Sequence, residues 1–200
     1  MKRFLSIILL LTAMACEKEN IAYNRDFDRS LNAWQTFKQT SGNSYRYTVT
    51  AGTWAGSGWK TNLIVTKGKV TERHFTYTVF HDIRMPANGW DEAEVNKILA
   101  LMKTTAEEFK ARNGVSLAEV LSWSETGSNL GAHKNTSAAD LITLDDVYAK
   151  AETQWLLKRK GVSVYFEAKN SGMISSCGFV NDGCQDDCFI GINISEIKAL

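Results

Sequence analysis

The chain lacks several features that mark specialised protein classes. It has one proline, Pro86, among 200 residues, so no proline-rich linker divides it. Its formal net charge is only +1, which gives no bulk electrostatic reason to bind nucleic acid. The sequence contains no internal repeat, phosphate-binding glycine motif or zinc-protease motif. With 44% hydrophobic and 22% charged residues, the composition is that of an ordinary globular protein. We therefore predict no nucleic-acid partner and no cofactor.

The longest apolar run lies at the N-terminus and is too short to cross a bilayer as a mature helix. Lys2 and Arg3 precede apolar residues 4–11, and small residues follow, which is typical of a secretory signal peptide. The segment ends in "TAMAC", which resembles the lipobox of bacterial lipoproteins. In that family the cysteine, here Cys16, is lipidated and becomes the first mature residue. Ala13 stands where the family usually has leucine.

This resemblance implies a signal peptide at 1–15, a lipid anchor on Cys16 and a polar tether over 16–23. Two or three acyl chains would anchor the protein firmly, so the membrane is an expected partner. "EKEN" after the cysteine resembles the surface-export signals of Bacteroidota lipoproteins. The expected location is the cell envelope, at the outer membrane and with exposure at the surface. The alternative is an ordinary signal peptide that leaves a free thiol at Cys16.

The periodicity of the mature chain predicts an α+β fold. Apolar residues at helical spacing indicate helices over 26–38, 91–113 and 116–121, and another that begins at Thr143. Alternating segments indicate three strands between 44 and 80, with a tight turn at Lys67-Gly68-Lys69, and further strands after Gly161. The order α-βββ-ααα-βββ favours an antiparallel sheet of about five or six strands with helices packed on one face. We expect a single domain over 24–200 with a helical insertion near 86–121.

The stretch "CGFVNDGCQDDC" at 177–188 places three cysteines close together. Structural zinc needs about four closely spaced Cys or His ligands, which the stretch does not supply. Cysteines of exported proteins usually pair, and with Cys16 lipidated one of the three is left over. We favour a disulfide between Cys184 and Cys188, with Cys177 buried and free. The alternative pairing is Cys177–Cys188.

Three aspartates lie in the same stretch, at Asp182, Asp186 and Asp187. Their oxygens could ligate calcium weakly, but their spacing does not match an EF-hand loop. Aspartate also forms turns by accepting hydrogen bonds from nearby backbone amides. We interpret the three residues as turn formers and predict no metal site.

"AWQTFKQTSGNSYRYTV", followed by "LIVTKGKV" and later by "TLDDVYAKAE", resembles the domain-of-unknown-function family 6174 of bacterial lipoproteins. Gly172 and the three aspartates fit the closing part of that pattern, and the resemblance covers most of 27–197. The helical segment from about 86 to 121 departs from it. The family has no assigned activity, so the resemblance implies a fold and no mechanism.

The aromatic residues give the sequence's main indication of function. Trp54 and Trp59 flank a Gly-Ser loop, where exposed tryptophans could form a platform for a sugar or protein ligand, although both could instead pack in the core. Trp123 opens a loop of about 17 residues at 124–140. We expect a non-catalytic binding module for an envelope protein or glycan. The alternatives are a structural or inhibitor-like assembly module and, less favoured, a hydrolase that uses two carboxylates.

Overall fold

Helix α1 (Asn24–Thr40) opens the fold in the computed structural model, which describes residues 20–200. Strands β1 (Tyr45–Thr53), β2 (Ser57–Thr66), β3 (Lys69–Phe80) and β4 (Ile83–Arg84) follow. Next come helices α2 (Glu92–Leu101), α3 (Ala106–Asn113) and α4 (Leu117–Leu121), and strand β5 (Ser122–Thr126). A 3₁₀ turn (Gly127–Asn129), helix α5 (Leu144–Lys150), a π-helical turn (Ala151–Trp155) and strands β6 (Val162–Glu167), β7 (Ser176–Asn181) and β8 (Ile190–Ala199) complete the chain.

The strands form one antiparallel sheet in the order β4-β3-β2-β1-β8-β7-β6, and β5 pairs with the same edge of β3 as β4. The predicted α+β class with an antiparallel sheet is confirmed. The predicted count of about five or six strands was too low, because the described part of the chain forms eight. The additional strands are β4, which is only two residues long, and β5, which lies where the sequence suggested the start of a loop.

The three consecutive strands β1–β3 are as predicted, and the turn lies where it was predicted except that Lys69 already belongs to β3. Lys67 and Gly68 both have positive φ, as a two-residue hairpin turn between β2 and β3 requires. Along β1 and β2 the buried residues alternate with more exposed ones, so one face of the sheet carries the core. Trp34 of α1 meets Tyr45 of β1 edge to face at 5.1 Å, which places α1 on that face.

The helical insertion differs in detail from its prediction. The helix predicted over 91–113 is two helices, because Thr105 forms a capping box with Glu108 and starts α3. The predicted helix starts at Asp91, Ser116 and Thr143 are confirmed, since each side chain caps the backbone amide three residues later. A second apolar cluster fixes α2–α4 against the end of β3; it comprises Phe80, Ile98, Leu99, Phe109, Leu117 and Leu121.

Residues 20–23 fall in the segment predicted as tether, yet they join the fold. Ile21 is buried, and the Ala22 amide donates to the Leu156 carbonyl at 2.7 Å. The Lys158 amide donates to the Asn20 carbonyl at 2.8 Å. The predicted signal peptide, the lipid anchor at Cys16 and the first part of the tether lie outside the described residues. Within 20–200, no helix has both the length and the apolar character needed to span a bilayer.

Candidate functional site

A buried ion pair between β3 and β5 lies beside a large cleft in the surface. Arg73 and Glu125 are directly opposite in the pairing of these two strands. Arg73 Nε and Nη2 each donate to one carboxylate oxygen of Glu125 at 3.0 Å. The two side chains are only 7% and 0% exposed, respectively. Such a bidentate pair in a buried setting has both charge compensation and fixed geometry.

Glu125 also accepts hydrogen bonds from the loop that follows β5. The backbone amides of Gly131 and His133 donate to its two oxygens, and the His133 ring bonds it through Nδ1 at 3.0 Å. Burial alone raises the pKa of Glu125, but the bonds from Arg73, His133 and Gly131 outweigh burial and lower the pKa to about 2. Glu125 is therefore ionised at every physiological pH.

The same ion pair holds the long loop in place. Arg73 donates to the carbonyls of His133 at 3.0 Å and Ala139 at 3.1 Å. The Ala139 amide in turn donates to the buried hydroxyl of Thr61 on β2 at 3.0 Å. The segment predicted as a loop over 124–140 thus begins in strand β5 and is held to the sheet at His133 and Ala139.

Trp123 forms the centre of an aromatic stack next to the ion pair. The Phe75 ring stacks with Trp123 at a centroid distance of 5.4 Å, and the His133 ring lies parallel to that of Trp123 at 3.9 Å. The Arg73 guanidinium lies 5.0 Å from the Trp123 ring centroid. Neighbouring rings therefore already cover Trp123, which is buried.

A cleft of about 750 Å³ opens beside this stack. The cleft has an apolar floor and a polar rim. The residues that line it are Phe75, Tyr77, Val115, Glu119, Val120, Trp123 and loop residues 132–137. We call this space the His133 cleft. A concave, mostly apolar site with a few polar groups is the usual form of a ligand pocket.

The polar rim of the His133 cleft centres on a pair of hydrogen-bond acceptors. Because ionised Glu125 can only accept, Nδ1 of His133 carries a proton, and Nε2 is an acceptor when the ring carries no second proton. Nε2 lies 3.8 Å from Oε1 of Glu119, a partly exposed carboxylate. A hydroxyl or ammonium group could therefore donate to both atoms.

A second polar arrangement lies on the opposite, solvent-facing side of β3 and β5. His74 Nδ1 contacts Ser124 Oγ at 2.8 Å, and His74 Nε2 contacts Glu72 Oε2 at 2.9 Å. These residue types resemble a Ser–His–acid catalytic set. None of the three lines the His133 cleft, so this set is separate from that cleft.

The structure separates the two tryptophans of the predicted platform. Trp54 lies in the β1–β2 turn and is 74% exposed. Trp59 is half-buried, and its ring meets Tyr77 edge to face at 5.8 Å. It lines a smaller cavity of about 250 Å³ together with Trp155. The residues that meet the larger cleft are Tyr77 and Trp123 instead.

The cysteine stretch forms a bridged loop at one end of the sheet. The structure contains a disulfide between Cys184 and Cys188, while Cys177 on β7 is free and buried. Burial raises the pKa of the Cys177 thiol to about 12. Asp187 accepts a hydrogen bond from the Trp54 amide at 3.0 Å, so this aspartate joins the loop to the β1–β2 turn.

The other aspartates of the stretch do not assemble a metal site. Asp182 lies near the Ser163 hydroxyl at 3.5 Å, and its backbone amide donates to the Gly161 carbonyl. Across residues 20–200, no three Asp, Glu, His or Cys side chains converge in a way that could hold a metal ion. The weak calcium site considered for Asp182, Asp186 and Asp187 therefore has no structural support.

The sequence indicated the neighbourhood of the cleft but missed its key residues. Trp123 and the loop over 124–140 were singled out, whereas Arg73, Glu125 and His133 were not. The available signal was the alternation in "SWSET", which directs Trp123 and Glu125 to the same face. No family model, curated protein or solved structure matches the chain, so the resemblance to family 6174 stays a prediction.

Proposed function

We propose that the protein is a lipid-anchored binding protein of the bacterial cell envelope and that its ligand site is the His133 cleft. The observation that carries the proposal is a cleft of about 750 Å³ built on a rigid, buried ion pair. Binding sites gain affinity when their polar groups are fixed before the ligand arrives. Arg73 and Glu125 supply that rigidity by holding both the aromatic floor and the loop.

The lining of the cleft favours a ligand with an apolar body and a hydrogen-bond donor. Phe75, Tyr77 and Val120 offer apolar surface, while Glu119 and His133 Nε2 offer two nearby acceptors. Trp123 is buried and already stacks with Phe75 and His133, so it does not offer a sugar ring an open stacking platform. Amino sugars and amine-bearing peptides remain compatible with the acceptor pair.

The position of the cleft agrees with a membrane-tethered binder. The cleft lies on β3 and β5, whereas the N-terminal segment joins the fold beside β6. Five strand-to-strand steps separate β3 from β6 in the sheet order. At about 4.8 Å for each step this amounts to about 24 Å. A lipid anchor near β6 would leave the cleft open to a ligand outside the membrane.

The geometry does not favour the carboxylate hydrolase. Such an enzyme needs two carboxyl groups that can exchange protons or attack a substrate. Glu125 is near His133, but both of its oxygens are occupied by hydrogen bonds and its pKa is about 2. Among residues 20–200, Glu119 is then the one acidic group that lines the His133 cleft.

The test is a titration of the isotopically labelled protein with peptidoglycan fragments, glucosamine oligomers and short amine-bearing peptides. We expect at least one probe to shift the indole N–H signal of Trp123 and leave that of Trp54 unchanged. Glu119→Gln removes one acceptor charge and should weaken binding about tenfold, which corresponds to about 1.4 kcal/mol. Glu152→Gln, on the π-helical turn outside this cleft, is the matched control. Unmoved Trp123 signals with every probe, or equal effects of the two variants, would contradict the proposal.

A further inference from the structure

One end of the sheet gathers the N-terminal segment, the disulfide loop and an exposed tryptophan. We call it the disulfide end; it consists of residues 54–56, 158–161 and 182–189. The β1–β2 turn and the loop between β7 and β8 meet there because β1 and β8 are antiparallel neighbours. The short segment before β6 reaches the same end, since the Gly161 carbonyl accepts from the Asp182 amide at 3.0 Å.

Hydrogen bonds connect these segments across the disulfide end. The Asn20 carbonyl accepts from the Lys158 amide, three residues before Gly161. On the other side of the loop, Asp187 accepts from the Trp54 amide. The loop between these contacts is closed by the Cys184–Cys188 bond. The end is thus a continuous, hydrogen-bonded surface from the N-terminal segment to Trp54.

The chain between a lipid anchor and this surface is short. Only four peptide steps separate Cys16 from Asn20. Even a fully extended chain spans about 3.3–3.6 Å for each residue, so the anchor would lie within about 14 Å of Asn20. An acylated Cys16 therefore brings the disulfide end, rather than the edge with the His133 cleft, close to the bilayer.

The side chains of the disulfide end suit a bilayer interface. Trp54 is the most exposed of the large hydrophobic residues in the described chain, at 74%. Tyr165 of β6 lies next to this end, since its ring centroid is 6.5 Å from that of Phe189, and it is about half exposed. Tryptophan and tyrosine concentrate at the boundary between lipid headgroups and hydrocarbon. The surface therefore carries the aromatic residues that this boundary prefers.

The charges of this end are mixed. Three cationic residues, Lys158, Arg159 and Lys160, are exposed, and so are the three aspartates Asp182, Asp186 and Asp187. A surface with both signs matches zwitterionic headgroups, which carry a phosphate and an ammonium group, better than it matches a strongly anionic membrane. It also agrees with the near-neutral net charge of the chain.

We propose that the disulfide end rests on the bilayer that holds the lipid anchor, with the Trp54 side chain inserted among zwitterionic phospholipid headgroups. This inference rests on the proposed lipid anchor and adds an orientation to it. The Asp187 bond to the Trp54 amide and the Cys184–Cys188 bridge fix the turn that presents the indole. The domain then stands on the membrane in one orientation, and the β3–β5 edge faces away from the anchor.

The test uses the full acylated chain, reconstituted in vesicles of phosphatidylethanolamine and phosphatidylcholine with lipids brominated near the headgroup. Bromine quenches tryptophan fluorescence only at short range. We expect quenching of roughly one of the six tryptophans. Trp54→Phe should abolish that quenching, whereas Trp59→Phe should retain it. Circular dichroism of each variant checks that the fold is unchanged.

Vesicle flotation separates the two proposals. If the protein floats with the vesicles but Trp54 is not quenched, the anchor is intact and the docking proposal is wrong. If the protein does not float, the lipid anchor itself fails, and the orientation argument fails with it. Quenching that is the same in wild type and Trp54→Phe would also overturn the docking proposal, because another tryptophan would then meet the lipid.

Discussion

Removal of the Arg73 guanidinium tests the organisation of the candidate site most directly. Arg73→Met keeps much of the side-chain volume but leaves Glu125 buried and without its bidentate partner. Loss of one member of a buried ion pair typically costs about 3–5 kcal/mol of unfolding free energy. We expect a loss in that range and, with it, release of the loop that Arg73 holds through His133 and Ala139.

The lowered pKa of Glu125 gives an independent value for the stability that its contacts in the folded state contribute. The gap between its ordinary value of 4.5 and about 2 corresponds to about 3–4 kcal/mol of unfolding free energy, at about 1.4 kcal/mol for each pKa unit. Because the folded-state pKa is the lower one, this stabilisation is complete above about pH 4.5 and is lost as the pH falls toward 2. The difference in stability between wild type and Arg73→Met should therefore narrow on acidification through this window.

Urea unfolding followed by tryptophan fluorescence, at pH 7 and again at pH 3, measures both effects. Arg46→Met is the matched control, because Arg46 pairs with Glu196 at 3.4 Å on an exposed part of the sheet. Exposed pairs contribute about 0–1 kcal/mol, so this variant should be nearly as stable as wild type. A loss below about 1 kcal/mol for Arg73→Met, or equal losses in the two variants, would refute the reasoning.

Three further predictions concern the rest of the fold. Burial and a pKa of about 12 should protect the Cys177 thiol from alkylation in the folded protein at pH 8. After unfolding without reductant, alkylation should label one thiol within 177–188, whereas three labelled thiols would contradict the disulfide. Gly178→Ala would place a Cβ 2.5 Å from the carbonyl oxygen of Ile190 on β8 and should lower the unfolding free energy by about 1–3 kcal/mol. The Cβ of Gly58→Ala has more space, so the melting temperature of this variant should be close to that of the wild type. Thr143→Ala removes a capping box and should cost about 1 kcal/mol in urea unfolding; no change would show that α5 does not depend on it.

Most of the fold could be predicted from the sequence because the elements concerned are determined by local sequence patterns. The hairpin at Lys67–Gly68, the strands between 44 and 80 and the helix starts at Asp91, Ser116 and Thr143 all rest on neighbouring residues. Strand β5 was missed because Glu125 stands at an inward position, where alternation normally requires an apolar residue. The break before α3 was missed although Thr105 and Glu108 carry a capping-box signature.

The candidate site was harder to predict because its contacts are long-range. Arg73 and Glu125 are 52 residues apart, and only the pairing of β3 with β5 brings them together. A buried arginine or glutamate cannot be distinguished from an exposed one by its local pattern. Trp123 was noticed, but its role as a stacked core residue depends on Phe75 and His133.

The burial of Cys177 has a consequence for the order of folding events. Before the chain folds, three thiols between 177 and 188 could form any of three bonds, and loop-closure entropy only modestly favours the nearest pair. Once β7 joins the sheet, Cys177 is buried in the core beside Ile192 of β8 and can no longer form a disulfide with Cys184 or Cys188. Formation of the sheet before oxidation would thus select the Cys184–Cys188 bond. A chain oxidised too early could trap β7 outside the sheet, so correct maturation favours folding first and oxidation second.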